Sequence, residues 1–420
     1  MRLLSNLFTL SLLFAACNCQ AVELLYWPSS NTEEIKLAEM LVEQWNELHP
    51  NIQVKMQPIP ATQSSEEILL SAIMSKTTPD ICSNILPAII GKFIESKAIV
   101  CLDRFKDSEK VIIDRTGAKL TDMFRSKNGK LYQIPWKSNP VMLAYNKAMF
   151  KSLKLNPPKT YSEFMHVAKS INSDENGDGI ADHWAMAVSI KTIWYQRLFD
   201  FYPFYAAATG GKTLLKNDAP IFNNEEAVNV MKFFGDGFEK KYFPMLGFSG
   251  DIFVDGKTAM NIVGPWVIKY YERLNPDFKF DFTPIPVPDN HKGPVYTYGD
   301  PKNIVIFSTT KYPEESWEFI KFMISKKADL KLLEMTNQIP TRANVASDPY
   351  FDSFFKKNPL LRTVAKQGDY VVPMDDSPHL VQILDIISNQ FEAAAVYRVI
   401  SPEKSMKQAS KSVKDIYEYW

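Results

Sequence analysis

The sequence predicts an α/β protein folded into two lobes, each a mixed sheet flanked by helices. Strand-like segments alternate with helical ones, beginning with "VELLYW" at 22–27 and the amphipathic segment that follows it. The chain has 420 residues, which is long for one hydrophobic core and sufficient for two domains. Proline-rich stretches near 135–140 and 282–288 predict extended crossings between the lobes, because proline is disfavoured in central strands.

The predicted lobes are discontinuous in sequence, because the chain crosses between them more than once. We assign residues 22–134 and 289–328 to the first lobe, and residues 135–288 and 329–420 to the second. The composition is that of ordinary globular domains, with 45% hydrophobic and 23% charged residues. Aromatic residues make up 13% of the chain, and this abundance calls for an explanation.

Residues 1–21 have the features of a secretory signal peptide. Arg2 precedes an apolar run that ends at Ala16, which is too short to span a membrane and is followed by small residues. Two cleavage sites compete. In one, "FAAC" is a bacterial lipobox and Cys17 becomes the lipidated first residue; in the other, a signal peptidase cuts after Ala21. Both predict an exported protein, in the periplasm or at the cell surface.

The first lobe begins with alternating strand and helix signals. Asn31 can cap a helix together with Glu34, and "NIQVKMQPI" and "PDICSN" are predicted strands separated by the helix "SEEILLSAIMSK". In open α/β sheets, ligands bind beyond the carboxyl ends of the strands. The tails of the first and third strands carry Trp27 and Asn84, so these residues lie on the predicted ligand side.

The second lobe is predicted to contain the helices "TYSEFMHVAKSI" and "NEEAVNVMKFFGDGFEK". A strand ending at Val263 is followed by Gly264-Pro265 and then Trp266. A tryptophan therefore stands where a strand gives way to a helix, since glycine and proline interrupt regular structure. The chain returns through the strand entry "YTYGDPKNIVIF" and the amphipathic helix "PEESWEFIKFMIS", and is predicted to be helical to its end.

Charge and cysteine content exclude some functions and leave others open. Lys plus Arg and Asp plus Glu both number 48, so no net charge draws the protein to nucleic acid or anionic lipid. Cys82 and Cys101 lie in the body of the chain, and an oxidising compartment permits a disulfide between them. Two unpaired buried thiols are the alternative, and no cysteine spacing typical of zinc sites occurs.

Eight segments carry a family resemblance through their order and spacing over roughly residues 22–345: "LLYWPSS", "TTPDIC", "IESKAIVCLD", "GKLYQIPW", "VMLAYNKAMF", "NPPKTYSEF", "AMNIVGPW" and "SWEFIKFMIS…NQIPTRANV". Together they resemble the extracellular solute-binding proteins of ABC importers, specifically the family-1 carbohydrate group. Relatives bind maltose, other oligosaccharides or glycerol 3-phosphate. The resemblance implies a two-lobe periplasmic-binding-protein fold of type II that closes on a ligand in its cleft and delivers that ligand to a membrane permease.

Sugars present C–H faces that pack on aromatic rings, and hydroxyls that pair with planar polar side chains. Residues of these types at predicted loop ends are candidates for stacking (Trp27, Trp136, Trp194, Trp266 and Tyr298) and for hydrogen bonding (Asn84, Ser138, Asn139, Asp300 and Arg342). The resemblance implies Trp266 of "GPW" first, then Arg342 of "IPTR" and Tyr298-Gly299-Asp300. Structural roles are the alternative: a tryptophan in the core, Asp300 capping a turn, or Arg342 paired with an acid. No carboxylate follows "PDI", where some relatives place one.

The loop "DENGDGIAD" resembles part of an EF-hand calcium loop. Oxygen-bearing residues occupy its first, third, fifth and ninth places, namely Asp174, Asn176, Asp178 and Asp182. Ala185 stands at the twelfth place, where a bidentate glutamate usually closes the calcium shell. A solvated loop and a structural Ca²⁺ completed from elsewhere are both consistent with this pattern, and no cofactor is required for ligand binding.

Enzyme motifs are missing from the sequence: there is no GxSxG, HExxH or GxGxxG, and the five histidines are scattered. We therefore predict a binding protein rather than an enzyme, monomeric, with a carbohydrate or polyol ligand and an ABC permease as partners. Glycerol phosphate or another anionic solute is the alternative ligand, since Lys137 and Arg342 could favour an anion. A secreted glycoside hydrolase, with two carboxylates flanking the bond, or a surface lipoprotein is the remaining alternative.

Overall fold

Two β-sheets organise the chain. A computed structural model describes residues 21–60, 65–375 and 377–419. Its strands are β1 (Val22–Trp27), β2 (Ile52–Met56), β3 (Ile81–Ile85), β4 (Ile134–Lys137), β5 (Met142–Asn146), β6 (Trp184–Met186), β7 (Leu215–Lys216), β8 (Ala219–Pro220), β9 (Thr258–Val263), β10 (Phe280–Thr283), β11 (Thr297–Tyr298), β12 (Lys302–Ile306) and β13 (Val371–Val372). Its helices are α1 (Thr32–Leu48), α2 (Ser65–Ser75), α3 (Ile90–Glu95), α4 (Ser108–Thr116), α5 (Ala118–Met123), α6 (Lys147–Ser152), α7 (Tyr161–Ile171), α8 (Phe201–Thr209), α9 (Glu225–Glu239), α10 (Val267–Leu274), α11 (Pro313–Met323), α12 (Lys326–Thr336), α13 (Asp352–Lys357), α14 (Pro359–Gln367), α15 (Leu380–Phe391) and α16 (Pro402–Tyr419). The alternation confirms the predicted α/β class.

The first sheet has the strand order β2-β1-β3-β12-β4. Strand β1 pairs in parallel with β2 and β3, whereas β12 runs antiparallel to β3 and β4. One face of this sheet is covered by α1, α11 and α12, which bury Trp45 and Trp317. The other face is covered by α2 and α3, which bury Leu69 and Phe93. We call this sheet with its two cores the first lobe.

The second sheet has the order β10-β5-β9-β6, with β5 antiparallel to both of its neighbours. Helices α10 and α14 cover one face, and α7, α8, α9 and α15 cover the other. On that other face, the ring of Phe233 lies 4.9 Å from the rings of both Phe164 and Phe204, centroid to centroid. Much of the high aromatic content is therefore used in the core of this second lobe.

Three segments cross between the lobes, and they hydrogen-bond to one another. The first joins β4 to β5, the second joins β10 to β12, and the third follows α12. The N–H of Ser138 donates to the carbonyl of Ile339 at 2.9 Å, and the N–H of Asn139 donates to that of Gly299 at 2.5 Å. The crossings therefore form one hydrogen-bonded junction between the lobes.

The second crossing lies later in the sequence than the predicted crossing at 282–288. The third lies later than residue 328, where we placed the end of the first lobe. Strand β10 is still paired with β5, and Tyr298 still packs in the second-lobe core before Lys302 begins β12. Ala328 and Leu332 pack in the first-lobe core, so α12 belongs largely to that lobe. Proline marks irregular backbone, but long-range pairing and burial decide where the chain changes lobe.

A buried arginine joins helix α4 to two of the crossings. Arg115 is 3% exposed, and its guanidinium donates to the carbonyls of Pro135, Trp136 and Thr341 at 2.5, 2.7 and 2.9 Å. It also pairs with Asp329, whose side chain is fully buried, at 2.8 Å. The planar guanidinium of Arg115 thus donates to three carbonyls and one carboxylate at the same time.

The signal peptide, the two cysteines of the body and membrane-spanning helices are the remaining predicted features. The predicted signal peptide, apart from Ala21, and Cys17 lie outside the described residues. Cys82 and Cys101 are both free thiols rather than a disulfide; Cys82 is buried, as the second alternative states, whereas Cys101 is only half-buried. Within 21–60, 65–375 and 377–419, no helix is long and apolar enough to cross a membrane.

We expect the Asp329→Ala substitution to lower the free energy of unfolding by about 3–5 kcal/mol, because it leaves the buried charge of Arg115 without its partner. Chemical denaturation measures this loss. The control is Glu334→Ala, which breaks the half-exposed pair with Lys331 and should cost less than about 1 kcal/mol. Equal effects of the two substitutions would contradict the structural role of Asp329.

Asp375 generates a prediction about pH. Burial raises the pKa of its carboxyl to about 6, although the N–H groups of Leu214 and Leu215 donate to it. The unfolded pKa is about 3.9, so the folded state holds the proton at higher pH than the unfolded state does. The contribution of this group to stability therefore falls as the pH rises from about 4 to about 6.

The measurement is the unfolding free energy of the wild type minus that of Asp375→Asn across this pH range. With a pKa of about 6 in the folded state and about 3.9 in the unfolded state, this difference should decrease by about 2 kcal/mol between pH 4 and pH 6. A difference that is constant with pH would show that Asp375 titrates alike in the folded and unfolded states.

Candidate ligand-binding cleft

A cavity of about 340 Å³ lies between the two lobes. The first lobe contributes Asn31 and Glu33 from the start of α1, and the second lobe contributes α10 and the preceding Trp266. The third crossing closes one side with Thr336 and Gln338. A cavity lined by both lobes changes shape when the lobes move, so it is the candidate ligand-binding cleft.

Trp266 lies on the wall of this cleft, at the strand-to-helix turn that the sequence predicts. A Cβ atom on Gly264 would lie 2.0 Å from a carbon of the Trp266 ring, so only glycine lets the indole fold back over the backbone. Phe199 meets the indole edge to face, with the ring centroids 5.9 Å apart. The indole is half-buried, which leaves part of it to line the cavity.

An ion pair crosses the cleft between the lobes. A guanidinium nitrogen of Arg273 lies 2.5 Å from Glu33 Oε1. Arg273 lies on α10 at helical spacing from Trp266 and Tyr270, and all three line the cavity. Sequence analysis missed Tyr270 and Arg273, although their positions four and seven residues after Trp266 are a signal that could have identified them.

A buried polar chain forms the base of the interlobe junction. Lys137 Nζ lies 2.5 Å from Glu34 Oε1, and Gln338 Nε2 donates to the same oxygen at 2.6 Å. The side-chain amide of Asn139 donates to Gln338 Oε1 at 3.0 Å, and Asn139 Oδ1 accepts from the N–H of Ile339. The chain thus links α1 to the first and third crossings.

Burial and pairing act in opposite directions on the charges of this chain. Burial alone would raise the pKa of Glu34, but the charge of Lys137 and the bonds from Lys137 and Gln338 hold that pKa below its usual value. Burial lowers the pKa of Lys137, and Glu34 only partly opposes this effect. Each of the two charges therefore depends on the other as its partner.

Four of the predicted site residues meet at the crossings. Ser138 Oγ donates to the carbonyl of Gly299 at 3.1 Å, and Asn139 is 2% exposed in the polar chain described above. Tyr298 is fully buried in the second-lobe core, and its hydroxyl approaches Asp300 at 3.4 Å. Asp300 has φ of 36° and lies 3.5 Å from Lys302. These four side chains make contacts within the junction and do not line the cavity.

Two further predicted site residues have structural contacts. Trp136 is 3% exposed and packs in the first-lobe core, with Lys137 Nζ 4.7 Å from its ring centroid. Arg342 donates to Asp329 at 2.7 Å, which is the structural alternative raised from the sequence. Neither side chain lines the cavity, because long-range partners hold both within the first lobe and its junction.

The remaining three predicted residues lie apart from the cavity lining. Trp27 is half-buried, and its Nε1 has no hydrogen-bond partner among the described residues. Asn84 is half-buried and donates to Ser65 Oγ at 3.4 Å. Trp194 packs on the second-lobe core, with its ring edge-on to Tyr195 at 5.7 Å.

The candidate calcium loop satisfies its own polar groups. The carboxylate of Asp174 accepts the N–H groups of Gly177 and Gly179, and that of Asp182 accepts the N–H of Glu175. Asn176 Oδ1 accepts from the N–H of Asp178, and the carboxylate of Asp178 accepts from the N–H of Ile180. The described part of the chain contains no group of three His, Cys, Asp or Glu side chains arranged to hold a metal. Structural Ca²⁺ in this loop stays a prediction.

Comparisons with known proteins agree with this architecture. The maltodextrin-binding protein MdxE of Bacillus subtilis (strain 168) is 26% identical over 271 residues, which cover 61% of this chain and 60% of that protein. The galactooligosaccharide-binding protein of the same organism is 25% identical over 300 residues, 68% of this chain and 66% of that protein. The matched region thus spans less than two thirds of each of these two relatives.

The crystal structure of the uncharacterized protein lmo0859 from Listeria monocytogenes EGD-e superposes with a TM-score of 0.81 at 27% identity, covering 93% of this chain and 99% of that chain. The sugar-binding protein MalE from the phytopathogen Xanthomonas citri is 18% identical and superposes with a TM-score of 0.77, covering 94% of this chain and 97% of that chain. These similarities show that the chain shares its fold with both proteins. The family model for bacterial extracellular solute-binding proteins matches residues 40–363, which is more than half of the chain. The chain therefore belongs to the bacterial extracellular solute-binding protein family.

Proposed function

We propose that the protein captures a sugar, an oligosaccharide or a polyol in the interlobe cleft and delivers it to an ABC permease in the membrane. The observation that carries this proposal is the half-buried indole of Trp266 on the cleft wall, together with the exposed side-chain amide of Asn31. Gln338 and Thr336 also line the cleft, but their side chains are buried and hydrogen-bonded within the protein. An aromatic ring with planar polar partners suits a hydroxylated ring better than an apolar or strongly charged ligand.

The similarity to proteins named for maltodextrin and galactooligosaccharide binding supports the same ligand class. Two of the cations that could have favoured an anionic solute are already neutralised within the protein. Lys137 pairs with Glu34, and Arg342 pairs with Asp329. Arg273, which does line the cleft, is paired with Glu33. Lys269 also lines the cleft, so the ligand panel below decides between a neutral saccharide and glycerol phosphate.

Export and membrane anchoring complete the proposal. The family is extracellular, and lipidation of Cys17 would tether the protein next to its permease. Binding without turnover is the activity we propose, with hinge bending at the three crossings as the conformational step.

The first experiment is a thermal-shift panel on the chain from Val22, freed of copurified ligand by partial unfolding. The panel contains mono- and oligosaccharides, polyols, glycerol phosphates, amino acids and peptides. A ligand at 100 times its dissociation constant adds about 2.7 kcal/mol to stability, so a saccharide should raise the melting temperature visibly. Stabilisation by glycerol phosphates alone would overturn the neutral ligand, and hydrolysis of a glycoside would overturn the binding role.

We expect Trp266→Ala to weaken saccharide binding by about 10- to 100-fold, because the ligand loses its stacking surface in the cleft. Calorimetric titration measures the affinity. Tyr397→Ala is the control, since this tyrosine is 55% exposed and does not line the cleft. Unchanged affinity in a folded Trp266→Ala protein would remove the tryptophan from the site.

The ion pair across the cleft gives a second test. Replacing Glu33 or Arg273 with glutamine should weaken ligand binding by about two- to fivefold, because a partly exposed ion pair contributes only modestly to closure. The affinity of the wild type should fall with added salt more than that of the double variant. Equal salt dependence, or additive losses in the double variant, would show that the two residues act separately.

A further inference from the structure

A second cavity, of about 390 Å³, adjoins the cleft. Its walls are α10, the second half of α12, and residues 350–358, which include α13. Lys269 on α10 lines both cavities. Asn337 lines the second cavity and stands in the chain between Thr336 and Gln338, which line the cleft. The two cavities therefore meet at Lys269 and Asn337, and we call the second one the side groove.

The side groove exposes an aromatic ring. Tyr350 lines the groove and is 45% exposed. Its ring meets the fully buried ring of Phe351 edge to face, with the centroids 5.2 Å apart, and Lys326 Nζ lies 5.3 Å from its centroid. The tyrosine is thus held by its neighbours while part of the ring stays open to solvent. Such a ring is a surface on which the C–H face of a sugar can pack.

An unpaired amide lies at the junction of the two cavities. Asn337 ends α12 in the left-handed conformation, with φ of 58°, and is 8% exposed. Its backbone N–H donates to the carbonyl of Leu333, whereas its side-chain amide has no hydrogen-bond partner within the described part of the chain. Polar groups that are mostly buried normally have partners. A missing partner at the wall of a cavity indicates that a ligand supplies it.

The charged groups around the side groove are of both signs. Lys269, Lys357 and Glu272 line it and form no ion pair with any residue in 21–60, 65–375 or 377–419. Glu334 also lines it and pairs with Lys331. Hydroxyl groups can donate to carboxylates and accept from ammonium groups, so they suit a lining of mixed sign better than an anion does.

We propose that the ligand is an oligosaccharide that extends from the cleft past Lys269 into the side groove, where a further sugar unit packs on Tyr350 and bonds to Asn337. The inference rests on the proposed function and adds the length of the ligand. One unit lies against Trp266, and at least one more lies beyond Lys269, whose ammonium group can donate to oxygens on either side. A monosaccharide or a polyol would occupy the cleft alone.

The test measures how affinity depends on the length of the saccharide. Calorimetric titration of the exported protein uses maltodextrins and galactooligosaccharides, each from the monosaccharide to the hexasaccharide. We expect the affinity to rise by about tenfold at the length that reaches Tyr350, because the added unit gains an aromatic surface. Affinity that stays constant beyond the shortest saccharide that binds would overturn the side groove.

Tyr350→Ala should remove this gain. Long saccharides should bind about tenfold more weakly, whereas the shortest one that binds should be unaffected, because Tyr350 does not line the cleft. Tyr397→Ala is the matched control, since this exposed tyrosine lines neither cavity. An equal loss at every length, or no loss at any length, would contradict a role of Tyr350 in binding the added unit.

Asn337→Gly removes the amide and preserves the end of α12, because glycine adopts a positive φ readily. The melting temperature of the ligand-free protein should be unchanged or higher, while the affinity for long saccharides falls severalfold. Asn344→Gly is the matched control, since Asn344 has the same φ of 58° and lines neither cavity. A lower melting temperature together with an equal loss of affinity at every length would show a purely structural role.

The outcomes separate the side groove from the proposed function. Saccharide binding that Trp266→Ala weakens, but that neither length nor Tyr350→Ala changes, would overturn the side groove and leave the proposed function intact. Failure of every saccharide to bind the wild type would overturn the proposed function and the side groove with it. A gain with length that Tyr350→Ala and Asn337→Gly both reduce would support the extended site.

Discussion

The buried pairing of Arg115 with Asp329 is the interaction on which the two-lobe arrangement depends. A guanidinium has enough donors to bond a carboxylate and several carbonyls at once, and here the carbonyls belong to two different crossings. Without its carboxylate, this charge would be buried and uncompensated, a cost of several kcal/mol. The pair therefore fixes where the crossings leave the first lobe, and the cleft forms on a base whose position is set.

The polar chain from Lys137 through Glu34 and Gln338 to Asn139 extends this fixed base to the edge of the cleft. Each member depends on the next, because an unpaired buried charge or amide would be destabilising. In contrast, the pair of Glu33 with Arg273 lies at the partly exposed mouth of the cleft. The buried contacts at the bottom of the cleft are strong, and the ion pair at its mouth is weak. This combination lets ligand binding determine the balance between open and closed states.

Aromatic side chains have two uses in this protein. Most pack against one another in the second lobe, where rings such as Phe233 contact several neighbours. A smaller number, including Trp266 and Tyr350, line cavities beside polar groups. The same residue types thus build the core and offer binding surfaces, and the surrounding backbone determines which role each ring has.

By itself the sequence determined the α/β class, the cap that Asn31 makes on α1, and the Gly264-Trp266 turn, because each depends on residues close together along the chain. Only the tertiary structure decided that Trp136 and Tyr298 are buried and that Arg342 pairs with Asp329. Arg273 and Gln338 likewise join the cleft through folding. The partners of Arg273 and Gln338, namely Glu33 and Glu34, lie far from them in sequence, whereas Asp329 is close to Arg342. Burial depends on how distant elements pack together, so a local sequence pattern does not reveal it.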